Sequence, residues 1–195
     1  MRRILVPVIA LGIVAMGVPA SLATGAAADA CSTSQSQSCA APRAATGKSL
    51  VGRPAPATSG SNVIGTGQLE LASLLGKPTA LVFWLYTCPH CHEAMPAVAR
   101  LANKLGPNAQ IVTATMDPGV KGPKGYETPK DAAKTFGLSA PTMLVSDATA
   151  RDSWGVSSVP VAYVIDSSGT IRKVITPTNP AALAPAIKKA LAKVG

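Results

Sequence analysis

The sequence predicts an α/β fold, a central mixed sheet flanked by helices, on three observations. From residue 79 onward, short apolar runs alternate with helical patterns in the order β-α-β-α-β-α-β-β-α; strands alternating with helices build the parallel part of a sheet. Asp166-Ser167-Ser168-Gly169 joins the last two runs as a hairpin turn, which adds an antiparallel edge. The chain has 195 residues and 47% hydrophobic content, enough for one cored domain with appendages. Aromatic residues are only 4%, so alanine and valine carry much of the packing.

The N-terminus reads as a cleaved export signal, residues 1–30. Arg2 and Arg3 precede an apolar run from Ile4 to about Leu22, and Ala28-Asp29-Ala30 is an A-x-A cleavage pattern. Pro7, Gly12, Gly17 and Pro19 within the run suit a leader better than a membrane-spanning helix. Cleavage after Ala30 makes Cys31 the first mature residue, which opens two readings: Cys31 lipidated as a membrane anchor, or paired with Cys39. Export places the chain where disulfides persist. Residues 31–60 are rich in Ser, Ala, Pro, Gly and Gln and read as a flexible tether. The α/β domain is then 61–195.

Within that domain, Val63 to Leu75 predicts a strand-like piece and then a turn of helix over Leu69–Leu75. Gly76-Lys77-Pro78 breaks it, and a buried strand follows over 79–86. The next helix begins at Cys88, carries Pro96 as a kink, and stops at Gly106-Pro107-Asn108. Gln110–Met116 is a strand, 117–128 a Gly/Pro/Lys loop, Pro129–Phe136 a helix stopped by Gly137, and Pro141–Val145 a strand. Ala148–Trp154 is a short helix, Val161–Ile165 and Thr170–Thr176 the hairpin strands, and Pro180–Val194 a closing amphipathic helix.

The chemistry concentrates at Thr87-Cys88-Pro89-His90-Cys91. Cys88 falls at a helix N-cap and Pro89 at the first helical position, where a missing N–H costs nothing. Two thiols in one helical turn can close a small disulfide, and the helix start offers the Cys88 sulfur unpaired N–H groups and the positive dipole end. Both stabilise the thiolate, the reactive species. The same letters, extended to His92, spell C-x-x-C-H, the c-type haem attachment pattern. His90 and His92 are the chain's two histidines, so a zinc or copper site with Cys88 and Cys91 is a further alternative. The apolar strand feeding Cys88 favours the redox dithiol, which needs no cofactor. A two-residue spacer closes too small a loop for a merely structural disulfide.

Formal charge is +9, and loss of two arginines and one aspartate with the leader leaves +8. The basic residues are scattered without interleaved aromatics, so the charge gives a solvated surface with weak affinity for anionic membranes or cell-wall polymers, and no nucleic-acid partner is expected for an exported chain.

Taken in order, Gly52-Arg53-Pro54-Ala55-Pro56, the run from Gly76 through Pro96, and Trp154-Gly155-Val156-Ser157-Ser158-Val159-Pro160 through Gly169 resemble the exported thioredoxin-like proteins of the TlpA, ResA and DsbE group, from about residue 50 to the end. The resemblance implies a thioredoxin fold with Pro160 in the cis form opposite the dithiol. It also implies a free Val159 backbone that pairs with an extended substrate chain. Three departures stand out. Thr87 replaces the family's tryptophan before the first cysteine, Ala94 stands where a glutamate is common, with Glu93 on another face, and the preceding strand carries no carboxylate. The Pro89-His90 pair resembles that of DsbA, a strong disulfide oxidant; His90 would stabilise the Cys88 thiolate and make the disulfide more oxidising.

The resulting expectation is an extracytoplasmic thiol:disulfide oxidoreductase. Cys88 and Cys91 are the catalytic pair, Thr87, Pro89 and His90 tune it, and Val159 and Pro160 bind substrate. Its partners would be exported proteins with thiols or disulfides and a membrane redox protein. The oxidising direction competes with a reductive role in cytochrome c maturation, which the scaffold suggests.

Overall fold

The computed structural model describes residues 50–195, so the leader, Cys31 and Cys39 lie outside the described residues. The strands are β1 (Ser59–Asn62), β2 (Gln68–Glu70), β3 (Thr79–Trp84), β4 (Gln110–Thr115), β5 (Thr142–Leu144), β6 (Val161–Ile165) and β7 (Ile171–Ile175). The helices are α1 (Leu71–Leu74), α2 (Pro89–Lys104), α3 (Pro129–Phe136) and α4 (Leu183–Leu191). A π-helical turn at Thr149–Ser153 and a 3-10 turn at Pro180–Ala182 complete the elements.

The strands form one mixed sheet in the order β2-β1-β5-β4-β3-β6-β7. β3 pairs parallel with β4, from Thr79↔Gln110 to Trp84↔Thr115, and antiparallel with β6, from Thr79↔Ile165 to Phe83↔Val161. All six residues of β3 are buried, because both faces of the sheet are covered there. Its even face, Ala80, Val82 and Trp84, packs with Cys91, Met95 and Val98 of α2, Phe136 of α3, and Leu183 and Ile187 of α4. Its odd face, Leu81 and Phe83, packs with Leu50, Leu71, Trp154 and Tyr163. Trp154 and Tyr163 meet edge to face at 4.8 Å, and Tyr163 donates to the Trp154 carbonyl at 2.6 Å.

The helix boundaries follow local chemistry. Thr128 Oγ1 accepts from the Asp131 N–H and opens α3; Gly137, at φ +73°, closes it in a conformation that favours glycine. Pro96 sits inside α2, which nonetheless runs on to Lys104.

Several sequence expectations need correction. The folded body starts before residue 61: Leu50 and Thr58 are buried, Thr58 Oγ1 accepts from Trp154 Nε1 at 2.9 Å, and the Gly52 N–H donates to the Ile171 carbonyl at 2.7 Å. Thus residues 50–60 do not belong to the tether. The strand expected after Val63 lies earlier, at β1, because Gly60 lets β1 approach β5; a Cβ there would sit 2.2 Å from the Leu144 carbonyl oxygen. Leu69 and Glu70 are strand rather than helix, and β1 with β2 forms an antiparallel hairpin on the β5 side. The strand expected over 79–86 ends at Trp84, and the helix expected over Ala148–Trp154 is a single π-helical turn.

A chain begun at residue 61 should therefore be less stable than one begun at residue 50 by about 2–4 kcal/mol, the combined cost of one buried leucine and one buried hydrogen bond. Urea denaturation of the two fragments measures the difference.

Candidate active site

β3 delivers the chain to the site. After Trp84 the backbone turns through Leu85, Tyr86 and Thr87, and the Cys88 N–H donates back to the Leu85 carbonyl at 3.2 Å. Cys88 is then the N-cap of α2, in extended conformation (φ −93°, ψ 116°), with Pro89 opening the helix. The Cys88 carbonyl accepts from the N–H groups of Cys91 (3.0 Å) and His92 (3.1 Å), forming the first helical turn. Both cysteines are free thiols, Cys88 half-buried and Cys91 fully buried against the β3 face.

Their acidities diverge for that reason. Cys88 is lowered from 9.0 to about 6, first by the Cys91 S–H, which donates to its thiolate, and then by the N–H groups of Cys91 and His90 and the nearby His90 charge. Partial burial opposes the shift. Cys91 is pushed far up, first because it gives its proton to that same hydrogen bond and second because it is buried. Cys88 is thus a thiolate near neutral pH, and Cys91 keeps its proton.

Val159 and Pro160 stand opposite, joined by a cis peptide bond, as the resemblance implied. Cys88 Sγ lies 3.6 Å from the Val159 carbonyl oxygen. The Val159 N–H donates to no described residue, so the backbone beside the reactive sulfur keeps a free donor. Pro89 and His90 are exposed. Thr87 is half-buried, and its hydroxyl bonds to no described residue. Glu93 is exposed and Ala94 buried, so no carboxylate faces Cys91 from that helix position. Asp166 is the buried carboxylate among the described residues, and it is held at the β6–β7 hairpin by Ser168 and Arg172.

Among the described residues no three His, Cys, Asp or Glu side chains come together as a metal site. His92 is engaged elsewhere: its Nε2 lies 2.7 Å from the Tyr86 carbonyl oxygen and its ring stacks on Tyr126 at 3.9 Å and 12°. Sequence reasoning placed His92 only as a ligand and passed over Tyr86 and Tyr126. Their contacts span a loop, and no local pattern signals them.

The sheet order, the dithiol at the start of α2 and the cis-proline before β6 define a thioredoxin-like protein. The chain belongs to the AhpC/TSA family, whose sequence profile matches residues 51–174. It is 29% identical over 128 residues to the thiol-disulfide oxidoreductase YkuV of Bacillus subtilis (strain 168), covering 62% of this chain and 81% of that protein. It is 26% identical over 112 residues to the thiol-disulfide oxidoreductase ResA of the same organism, covering 57% of this chain and 59% of ResA. The chain thus spans less than two thirds of ResA. A thiol:disulfide interchange protein of the thioredoxin family from Chlorobium tepidum TLS superposes with a TM-score of 0.56 at 26% identity, covering 71% of this chain and 95% of that one.

Two outcomes follow from the thiol chemistry. Alkylation of Cys88 against pH should show a midpoint near 6; Cys91→Ala should raise it more than His90→Ala, because the Cys91 hydrogen bond is the larger cause and the His90 N–H survives substitution. Thermal denaturation of the reduced protein should show stability rising with pH from about 6 toward 9, where the folded state binds fewer protons at Cys88 than the unfolded state. Above about 9 the trend should reverse, since an unfolded Cys91 ionises while the folded one does not.

Proposed function

We propose that this chain is an extracytoplasmic thiol:disulfide oxidoreductase that oxidises thiols of exported proteins through Cys88 and Cys91. The observation that carries the reading is the opposite displacement of the two thiols: Cys88 down to about 6, Cys91 far up. Thiol–disulfide exchange is the activity named for YkuV and ResA, and the matched region contains both cysteines. Export rests on the N-terminal sequence pattern, Arg2-Arg3, the apolar run and the A-x-A site.

The oxidised pair begins as a Cys88–Cys91 disulfide. A substrate thiolate attacks Cys88 Sγ; the new bond joins substrate sulfur to Cys88, the old bond breaks, and its electron pair leaves on Cys91, which takes up a proton. A second substrate thiolate then attacks the first substrate sulfur, and Cys88 departs as its stabilised thiolate. The substrate loses two electrons as its disulfide forms, and the protein gains them. An extended substrate chain pairs with the free Val159 backbone beside Pro160, which aims its sulfur at Cys88. Thr87, Pro89 and His90 shape the rim. A membrane redox partner reoxidises the dithiol.

The lowered Cys88 thiol supports the oxidising direction. Because the lowered pKa of Cys88 stabilises its thiolate and hence the reduced form, the disulfide is a stronger oxidant. Equilibration with glutathione should give a potential nearer about −120 mV than about −270 mV. A value at or below the second figure would assign the reductive direction, with cytochrome c maturation among its settings. Cys88→Ser should abolish exchange with a thiol peptide, and retained activity would refute the assignment.

A further inference from the structure

His92 has no part in the exchange chemistry above, yet it is among the most constrained side chains near the dithiol. Its Nε2 lies 2.7 Å from the Tyr86 carbonyl oxygen. A carbonyl only accepts, so Nε2 carries the proton and donates. The ring stacks on Tyr126 at 3.9 Å and 12°, with Phe136 tilted against it at 6.1 Å.

Tyr86 has a second attachment through its side chain. Its hydroxyl lies 2.8 Å from Asp117 Oδ1 and 2.7 Å from the Val120 carbonyl oxygen. Asp117 is held in turn by the Gly119 N–H at 2.8 Å. The loop between β4 and α3 is therefore fastened at both ends to one short turn: Asp117 and Val120 to the Tyr86 hydroxyl, and Tyr126 to the ring that holds the Tyr86 carbonyl. Gly122 lies in the same enclosure, where an added Cβ would meet the Tyr126 carbonyl at 2.0 Å and the Tyr86 ring at 2.9 Å. Tyr86 is two residues before Cys88, and His92 lies one helical turn after it.

We propose that His92 is a positioning residue for the reactive turn: its imidazole pins the Tyr86 carbonyl and, through Tyr126, ties the turn carrying Cys88 to the 117–128 loop. The assignment rests on Cys88 being the reacting thiol. The circuit acts on placement. The donors that stabilise the Cys88 thiolate, the Cys91 S–H and the N–H groups of His90 and Cys91, are directional, and they work only while the turn holds the sulfur over the helix start. Both the Nε2–H tautomer and the imidazolium donate to a carbonyl, so the pin survives protonation of the ring.

The test is the pH profile of Cys88 alkylation in the full-length chain, read on the Cys88 peptide by mass spectrometry so that Cys31 and Cys39 do not contribute. In folded His92→Ala the midpoint should rise by about half a unit to one unit; a one-unit rise makes alkylation at pH 6 about fivefold slower. His92→Gln, whose amide N–H can reach the same carbonyl, should recover most of that loss. An unchanged midpoint in folded His92→Ala would overturn the proposal, and so would a His92→Gln shift as large as that of His92→Ala. Should His92→Ala fail to fold, Tyr126→Leu removes the stack and spares the imidazole. A rise in the midpoint then supports the circuit, and no rise overturns it. These readouts need no substrate, so loss of the proposed oxidase function would leave them able to judge His92.

Discussion

The structure depends on a single junction, the three residues that carry the chain from the end of β3 into the first turn of α2. β3 is buried on both faces and hydrogen-bonded on both edges, so its end cannot move without disturbing the sheet. α2 is fixed just as firmly by Cys91, Ala94, Met95 and Val98 in the core. What lies between them is therefore set in place by its neighbours, and Cys88 is presented at a helix start whose donors are already oriented. Preorganised donors stabilise charge without reorganisation, which is why a half-buried sulfur there becomes more acidic rather than less.

Two walls rise from other parts of the chain to flank this junction. On one side the Val159–Pro160 segment brings a carbonyl to within 3.6 Å of Cys88 Sγ and leaves its N–H free. On the other, the 117–128 loop is fastened through Tyr86, Tyr126 and His92. The first keeps a free backbone donor among the described residues, and the second is closed on itself. Tyr86, buried and bonded to Asp117, has its hydroxyl pushed up to about 12 and so stays a neutral donor at any pH the protein meets.

The sequence made much of this legible, and physics explains what it hid. The apolar run of β3, the Pro at the start of α2 and the Gly137 stop of α3 are local signals with local causes, and each element formed where those signals stood. The hairpin β1–β2 was not legible, because Ser59-Gly60-Ser61-Asn62 has no apolar alternation; it is a strand only because β5 lies beside it and Gly60 permits the approach. The start of the folded body was misplaced for a related reason. Leu50 and Thr58 sit in a stretch whose composition reads as linker, and their burial depends on Ile171 and Trp154 more than ninety residues away. At the site, the dithiol and the cis-proline could be read from motif order. The network around His92 could not, since a histidine beside two cysteines suggests a ligand until its partners are seen.

The acidity of Cys88 owes less to the dipeptide between the cysteines than to the second thiol. Sequence reasoning set the Pro89-His90 dipeptide against the scaffold, as though His90 decided the matter. In the structure His90 acts through its N–H and its charge, and both rank behind the hydrogen bond from the Cys91 S–H. That hydrogen bond comes from the second thiol, so the acidity of Cys88 does not depend on His90 alone. The second thiol has its own setting. Cys91 is fully buried in an apolar setting, and the buried carboxylate among the described residues, Asp166, is engaged at the β6–β7 hairpin. A buried second thiol with no base to take its proton is slow to attack a mixed disulfide, whichever residues lie between the cysteines. The ease of exchange at Cys91 therefore depends on its surroundings, Ala94 and the uncharged face of β3 among them, rather than on the exposed dipeptide.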